Sequence, residues 1–187
     1  MRNPIRFLCH VASVAFLVLS LCLPTQAASP EDHPAVPAIL DRAESLFQSM
    51  KARDYPAIFA ALSAKSRETI VAETASALAA AKQAPPGKPT IVDSPSAPAR
   101  DPAPGPDEVR SDFVAGRPIA RDYWDAFLRR FDPDAALEHS RWEIGSVGKD
   151  RAEILLTRHG ADHPAILKMF LEDGGWKVGL VETFWSR

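Results

Sequence analysis

The apolar positions in the first half of the chain recur at three- and four-residue intervals, which is helical spacing. This pattern predicts a first helix over 39–50 and, after the interruption at Asp54 and Pro56, a second short helix over 55–62. A third helix is predicted over 66–82, where alanine, the best helix former, fills many of the remaining positions. The N-terminal part of the domain is therefore expected to be helical.

The second half of the chain changes period. A fourth helix is predicted from Tyr123 to Phe131, and Asp132-Pro133-Asp134 is expected to end it. Apolar and polar residues then alternate, which predicts strands near 141–144, 152–157, 166–172 and 176–185. The sequence therefore predicts an α+β fold, with N-terminal helices packed on a curved antiparallel C-terminal sheet that forms a cone or roll.

The last predicted hairpin has two alternative registers. Its turn is either Asp173-Gly174, which pairs Leu171 with Trp176, or Gly174-Gly175, which pairs Leu171 with Val178. The registers differ by two residues, so both give the same faces. The core face then carries Leu167, Met169, Leu171, Trp176, Val178, Leu180, Glu182 and Phe184. The outer face carries Lys168, Glu172, Lys177 and Thr183 together with Phe170, Val181 and Trp185, and these three apolar residues predict a homodimer through that face.

The N-terminus has the three parts of an export signal. Arg2 and Arg6 precede an apolar run over 7–23, and small residues up to Ala27 follow it. We expect cleavage after Ala27 and an exported protein in the periplasm, or a secreted one. The alternative is an uncleaved signal that anchors the chain to a membrane, although a spanning helix needs about 20 apolar residues.

Composition limits the chemistry of the mature chain. Removal of 27 of the 187 residues takes away both cysteines, Cys9 and Cys22, and therefore leaves no disulfide and no thiolate nucleophile. The same cleavage removes two arginines and no acids, so the formal net charge falls from −2 to −4. Nucleic acid is excluded as a partner, because phosphate binding needs a basic surface.

A proline-rich segment divides the mature domain. Residues 85–106 hold eight prolines, which remove backbone donors and fix φ. We predict helices of the domain over 28–82, a disordered loop or linker over 83–112, and a helix with the sheet over 113–187. The segment is predicted to be a spacer, and a docking arm is the alternative.

The order of helices followed by an antiparallel meander that ends in Glu172-Asp173-Gly174-Gly175-Trp176-Lys177-Val178 resembles the nuclear transport factor 2-like superfamily. The Arg53-Asp54-Tyr55 step between the first two helices is also similar. The resemblance covers two pieces, 37–82 and 117–187, and it implies a cone-shaped fold. The superfamily includes isomerases, dehydratases, carrier-like binders and assembly modules, and its enzymes place an acid–base pair inside the cone. A shared fold does not choose among these functions.

Glu182 is the candidate catalytic residue. Alternation places it on the apolar face between Leu180 and Phe184, where a desolvated carboxylate would serve as a base or would bind a ligand. The alternatives are a hydrated position at the end of the sheet or an ion pair with Arg158.

His159, Asp162 and His163 are the weak metal candidates, because they lie in one loop and are good zinc ligands. Their spacing matches no known zinc motif, so an exposed polar turn is the default interpretation. We predict no metal and no cofactor, since the sequence has no glycine-rich phosphate loop and no serine elbow.

The aromatic residues Tyr123, Trp124, Trp142 and Trp176 are predicted, with Glu182, to line a pocket in the cone. The leading hypothesis is a non-catalytic exported module that binds a small apolar ligand or a protein partner. One alternative is an isomerase or dehydratase with Glu182 as base and Tyr123 or a histidine assisting. The other is an envelope assembly or scaffolding factor that docks through residues 85–106.

Overall fold

The computed structural model describes residues 29–83 and 103–185. Within these ranges a 3₁₀ turn over Pro30–Asp32 precedes the helices. The helices are α1 (Val36–Ala52), α2 (Tyr55–Ala61), α3 (Ala64–Gln83), α4 (Pro106–Ala115), α5 (Pro118–Leu128), α6 (Pro133–Leu137) and α7 (Leu180–Phe184). The strands are β1 (Ser140–Val147), β2 (Arg151–Arg158), β3 (Ala165–Glu172) and β4 (Gly175–Gly179). The α+β class, with N-terminal helices followed by an antiparallel sheet, is confirmed.

The step between α1 and α2 is set by local chemistry. Arg53 ends α1 in the left-handed conformation with φ 56°, and the Asp54 carboxylate caps α2 by accepting the Ala57 N–H at 3.1 Å. The Asp125 carboxylate of α5 binds both neighbours of Asp54, accepting from Arg53 Nη1 at 2.6 Å and from the Tyr55 hydroxyl at 2.8 Å. The turn between the first two helices is therefore held against α5.

The predicted linker over 83–112 is too long at both ends. Gln83 belongs to α3, and α4 begins at Pro106, so residues 106–112 are helical; residues 84–102 lie outside the described ranges. Proline is tolerated at the first position of a helix, where its missing N–H costs no hydrogen bond. α4 also buries Val109 and Phe113, and it packs on α2 and α3.

The predicted fourth helix corresponds to α5, which begins at Pro118 and ends at Leu128. Asp132 does more than end a helix, since its carboxylate accepts the Asp134 N–H at 3.0 Å and so caps α6. The short helices α4 and α6 are corrections to the predicted element order.

The four strands form one antiparallel sheet in the order β1-β2-β3-β4. The last hairpin pairs Leu171 with Trp176, so the turn is Asp173-Gly174 and the second alternative register is excluded. Both turn residues have positive φ, 51° at Asp173 and 75° at Gly174, as a two-residue hairpin turn with the sheet's twist requires.

The inner face of the sheet packs on the helices. Leu167, Met169, Val178 and Leu180 are each 0% exposed, as alternation predicted. α1 contacts β4 and α6, so helices that precede the undescribed segment pack on elements that follow it. Leu171 departs from the predicted core face and is 39% exposed, because it lies at the turn end of β3.

The fourth strand was predicted to run to Trp185, but it ends at Gly179 and the chain continues as α7. Side chains take the hydrogen bonds that a longer ladder would have made. Ser66 Oγ accepts the Val181 N–H at 3.0 Å, and Thr183 Oγ1 accepts the Lys168 N–H at 3.0 Å. The prediction that Glu182 and Phe184 lie on a strand is therefore wrong.

The outer sheet face also differs from the prediction. Phe170 is half-buried on β3, where it pairs with Arg151 on one side and Lys177 on the other. Val181 lies in α7 and Trp185 directly follows it, so neither residue belongs to the sheet. A homodimer through this face remains a prediction, but of the three apolar residues on which it was based only Phe170 lies on the sheet.

The predicted signal over 1–27 lies outside the described residues. In the part of the chain that is described, no helix combines the length and the apolar character needed to cross a bilayer.

Candidate functional site

An aromatic groove of about 420 Å³ lies between α5 and the C-terminal end of α7. Its lining residues are Tyr123, Ala126, Phe127, Arg130, Phe131, Phe184 and Trp185, and we call it the aromatic groove below. Residues 123, 127 and 131 follow one another at four-residue intervals, which puts them on one helical face. The Phe131 N–H donates to the Phe127 carbonyl at 3.1 Å, so helical geometry continues past the end of α5.

The rings of the groove contact one another in a chain. Phe127 stacks on Phe131 with ring centroids 5.4 Å apart, and Trp185 lies 6.3 Å from Phe127 on its other side. Phe184 meets Phe131 at 5.9 Å and an interplanar angle of 67°. These separations lie within the range of favourable aromatic contacts. The groove is therefore a packed arrangement of rings and not a gap between loose side chains.

The groove opens to solvent on one side and rests on the core on the other. Phe184 is 44% exposed and Trp185 is 43% exposed. Phe127 and Phe131 continue inward to the fully buried rings of Trp124 and Phe47, each pair 5.7 Å apart. Large exposed aromatic surface on a rigid base is a common feature of ligand or partner sites.

Two polar groups accompany the rings of the groove. Burial raises the pKa of Tyr123 to about 12, with a smaller contribution from the Glu73 carboxylate, so its hydroxyl stays protonated at neutral pH. Arg130 is exposed, and no carboxylate of the described residues forms an ion pair with it. The side chains that line the groove therefore include one phenol and one guanidinium beside the apolar surface.

Glu182 is buried at 9% exposure, and its carboxylate accepts hydrogen bonds from two serine hydroxyls. It also lines a hollow of about 290 Å³ together with Arg151, Glu153 and Lys168. Ser66 Oγ donates to Glu182 Oε2 at 2.6 Å, and Ser63 Oγ donates to Oε1 at 3.1 Å. Ser63 also accepts the Ser66 N–H at 3.1 Å, which makes it the cap of α3. The ion pair with Arg158, considered from the sequence, does not form.

A second carboxylate binds the same end of α3. Both oxygens of Glu172 accept the Ala64 N–H, at 2.8 and 3.1 Å. Negative charge is favourable at the N-terminus of a helix, where unpaired N–H groups and the helix dipole meet. Through these hydrogen bonds, Glu172 connects β3 and Glu182 connects α7 to the N-terminus of α3, a helix of 20 residues.

The residues predicted as a metal site do not converge. His159, Asp162 and His163 are all exposed, and within the described ranges no group of three or more His, Cys, Asp or Glu side chains could hold a metal ion. His159 instead extends the β1–β2 pairing, since its N–H donates to the His139 carbonyl at 2.8 Å.

The five residues predicted to share a pocket are dispersed in the structure. Tyr123 alone among them lines the aromatic groove. Trp124 is 0% exposed and Trp176 is 8% exposed, so both are core residues. Trp142 donates its Nε1–H to the Ala136 carbonyl at 2.7 Å and lines a separate hollow, and Glu182 lines another hollow beside β3.

Sequence reasoning missed six of the seven lining residues. The four-residue spacing of Tyr123, Phe127 and Phe131, with Arg130 beside them, was a visible signal. It did not identify the groove, because the sequence does not show which side of α5 stays uncovered.

Comparison with protein-family models, with curated proteins and with solved structures finds no match to this chain.

Proposed function

We propose that this protein is an exported, non-catalytic binding module and that the aromatic groove is its binding site for a small apolar ligand. The observation that carries the proposal is the pair of exposed rings, Phe184 and Trp185, which join Phe127 and Phe131 in one wall. Exposing these rings to water costs free energy, and a bound apolar ligand would recover it. The volume, about 420 Å³, is that of a typical small-molecule site.

The surroundings of Glu182 favour binding over catalysis. A general base must reach the proton it abstracts. Each carboxylate oxygen of Glu182 already accepts one serine hydroxyl, at 2.6 and 3.1 Å, and these bonds use two of the roughly four lone-pair sites of the group. Within the described part of the chain, no second acid or base forms a hydrogen bond with Glu182, and the isomerase or dehydratase alternative needs such a pair.

A neutral apolar fluorophore, N-phenyl-1-naphthylamine, tests the proposal on the protein purified after export. We expect saturable binding with one site per chain, and a loss of at least tenfold in affinity for Trp185→Ala. Ile166→Ala is the matched control, because Ile166 on β3 is as exposed as Phe184, at 44%, and lies outside the groove.

Equal binding by the two variants, or no saturation, would exclude the aromatic groove as the binding site. N-terminal sequencing of the same preparation tests the export part of the proposal, and a mature chain that begins at Ala28 is expected. An intact Met1 on protein recovered from the membrane would show that the signal is an anchor instead.

A further inference from the structure

The aromatic groove has a charge pattern as well as an apolar wall. Among its seven lining residues, Arg130 is the single charged one, and none is acidic. By contrast, Arg53 donates to the Asp125 carboxylate of α5 at 2.6 Å, and Arg121 of α5 donates to the Gly116 carbonyl at 2.9 Å. Arg130 has no such partner among the described residues, although it lies three residues from Phe127 on the same helical side.

An unpaired guanidinium beside an apolar wall favours one class of ligand. Arginine presents several N–H donors in a planar fork that matches a carboxylate, and such charge-assisted hydrogen bonds are about twice as strong as neutral ones. A neutral ligand would leave this donor set unused, and a cationic ligand would be repelled by it.

We propose that the ligand of the aromatic groove is an amphipathic carboxylate, with an apolar chain or ring system lying on Phe127, Phe131, Phe184 and Trp185 and its acid group held by Arg130. This inference rests on the proposed function and adds the chemical class of the ligand. The shared chemistry fits a fatty acid and an aromatic acid equally, so the experiment includes both.

Isothermal titration of the exported protein with decanoate, with 1-naphthoate and with the neutral methyl 1-naphthoate tests the inference. We expect at least one of the acids to bind about tenfold more tightly than the ester, which is the ratio that one charged hydrogen bond of ordinary strength provides. Tight binding by decanoate alone would identify a chain-shaped ligand, and tight binding by naphthoate alone would identify a ring-shaped one.

Arg130→Gln should weaken the preferred acid about tenfold and change the ester less than twofold. Arg130→Lys keeps the charge but not the planar fork, so its affinity for the acid should lie between those of the wild type and Arg130→Gln. Arg129→Gln is the matched control, since Arg129 is exposed and adjacent but does not line the groove.

The two proposals fail differently in this experiment. If the neutral ester and the acids bind equally and Arg130→Gln changes neither, the carboxylate assignment is wrong while the groove remains a binding site. If no compound and no neutral fluorophore binds, both are wrong. Loss of acid binding in Arg129→Gln to the same extent as in Arg130→Gln would also overturn the assignment, because it would indicate a diffuse effect of charge.

Discussion

Replacing Glu182 with glutamine tests whether this buried acid holds the fold together or belongs to an active site. The side chain accepts hydrogen bonds from Ser66 Oγ at 2.6 Å and Ser63 Oγ at 3.1 Å, and it is 9% exposed. Glutamine keeps the shape of the side chain but has one acceptor oxygen and no charge. One serine hydroxyl must therefore lose its acceptor or reorient.

The expected cost follows from these contacts. A hydrogen bond to a charged group contributes about 1.5–3 kcal/mol, and one such bond is lost while the other is weakened. Ser66 Oγ also accepts the Val181 N–H at 3.0 Å, so a rotated hydroxyl disturbs the start of α7 as well. We expect Glu182→Gln to lower the free energy of unfolding by about 2 kcal/mol.

Urea unfolding followed by circular dichroism measures this change, and the slope with denaturant shows whether the transition stays two-state. Glu153→Gln is the matched control. It makes the same chemical change on β2, where Glu153 accepts only an exposed hydrogen bond from Ser146 at 3.2 Å, and about 0.5 kcal/mol or less is expected. A double-mutant cycle with Ser66→Ala should show a coupling of about 1–2 kcal/mol, because the two side chains share one hydrogen bond.

A neutral or stabilising Glu182→Gln would refute this reasoning. Residues kept for catalysis or ligand binding commonly cost stability, and their replacement then raises it. If the variant is as stable as the wild type and shows no coupling to Ser66, Glu182 is not needed for the fold and is again a candidate catalytic residue.

Two further predictions test the packing around α5. Gly116→Ala should lower the free energy of unfolding by about 3 kcal/mol, because φ is +62° and the new Cβ would lie 2.8 Å from Pro56 Cδ. Gly160→Ala is the control, since φ is +79° but no atom lies within 4 Å of the new Cβ. In the same urea experiment it should lower the free energy of unfolding by only about 1 kcal/mol. The pKa of Tyr123 is raised to about 12, so the folded chain holds this proton more tightly than the unfolded chain. The protonated phenol therefore contributes to the free energy of unfolding below pH 10. This contribution is lost as the pH rises from about 10 to about 12. Urea midpoints between pH 9 and 11 should therefore fall less steeply for Tyr123→Phe than for the wild type, and identical slopes would show that this phenol is not buried.

Local patterns were enough to predict most of the secondary structure. Helical spacing over 39–50 and alternation over 152–157 and 166–172 each matched one element, because each segment buries one face over most of its length. The last hairpin was narrowed to two registers by its turn residues. The sequence could not choose between them, since both registers place the same side chains on the same faces.

The errors have a common physical origin in contacts between distant segments. Residues 180–185 alternate like a strand, yet Ser66 and Thr183 take the hydrogen bonds that a strand needs, and the chain turns into α7. α4 was missed because Pro106 hides its start and only Val109 and Phe113 mark its buried face. Intrinsic helix and strand propensities predicted neither α7 nor α4, because tertiary contacts determine the secondary structure of both segments.

The sequence by itself determined the α+β class, the inward side chains of β3 and β4, and the four-residue spacing of Tyr123, Phe127 and Phe131, since each follows from spacing along the chain. Only the tertiary structure decided which aromatic residues face solvent and which carboxylate accepts hydrogen bonds from the end of α3. α7 brings Phe184 and Trp185 beside Phe127 and Phe131, and it delivers Glu182 to the serine cap of α3. These contacts are between residues more than 50 positions apart in the sequence, and the periodicity of one segment carries no information about them.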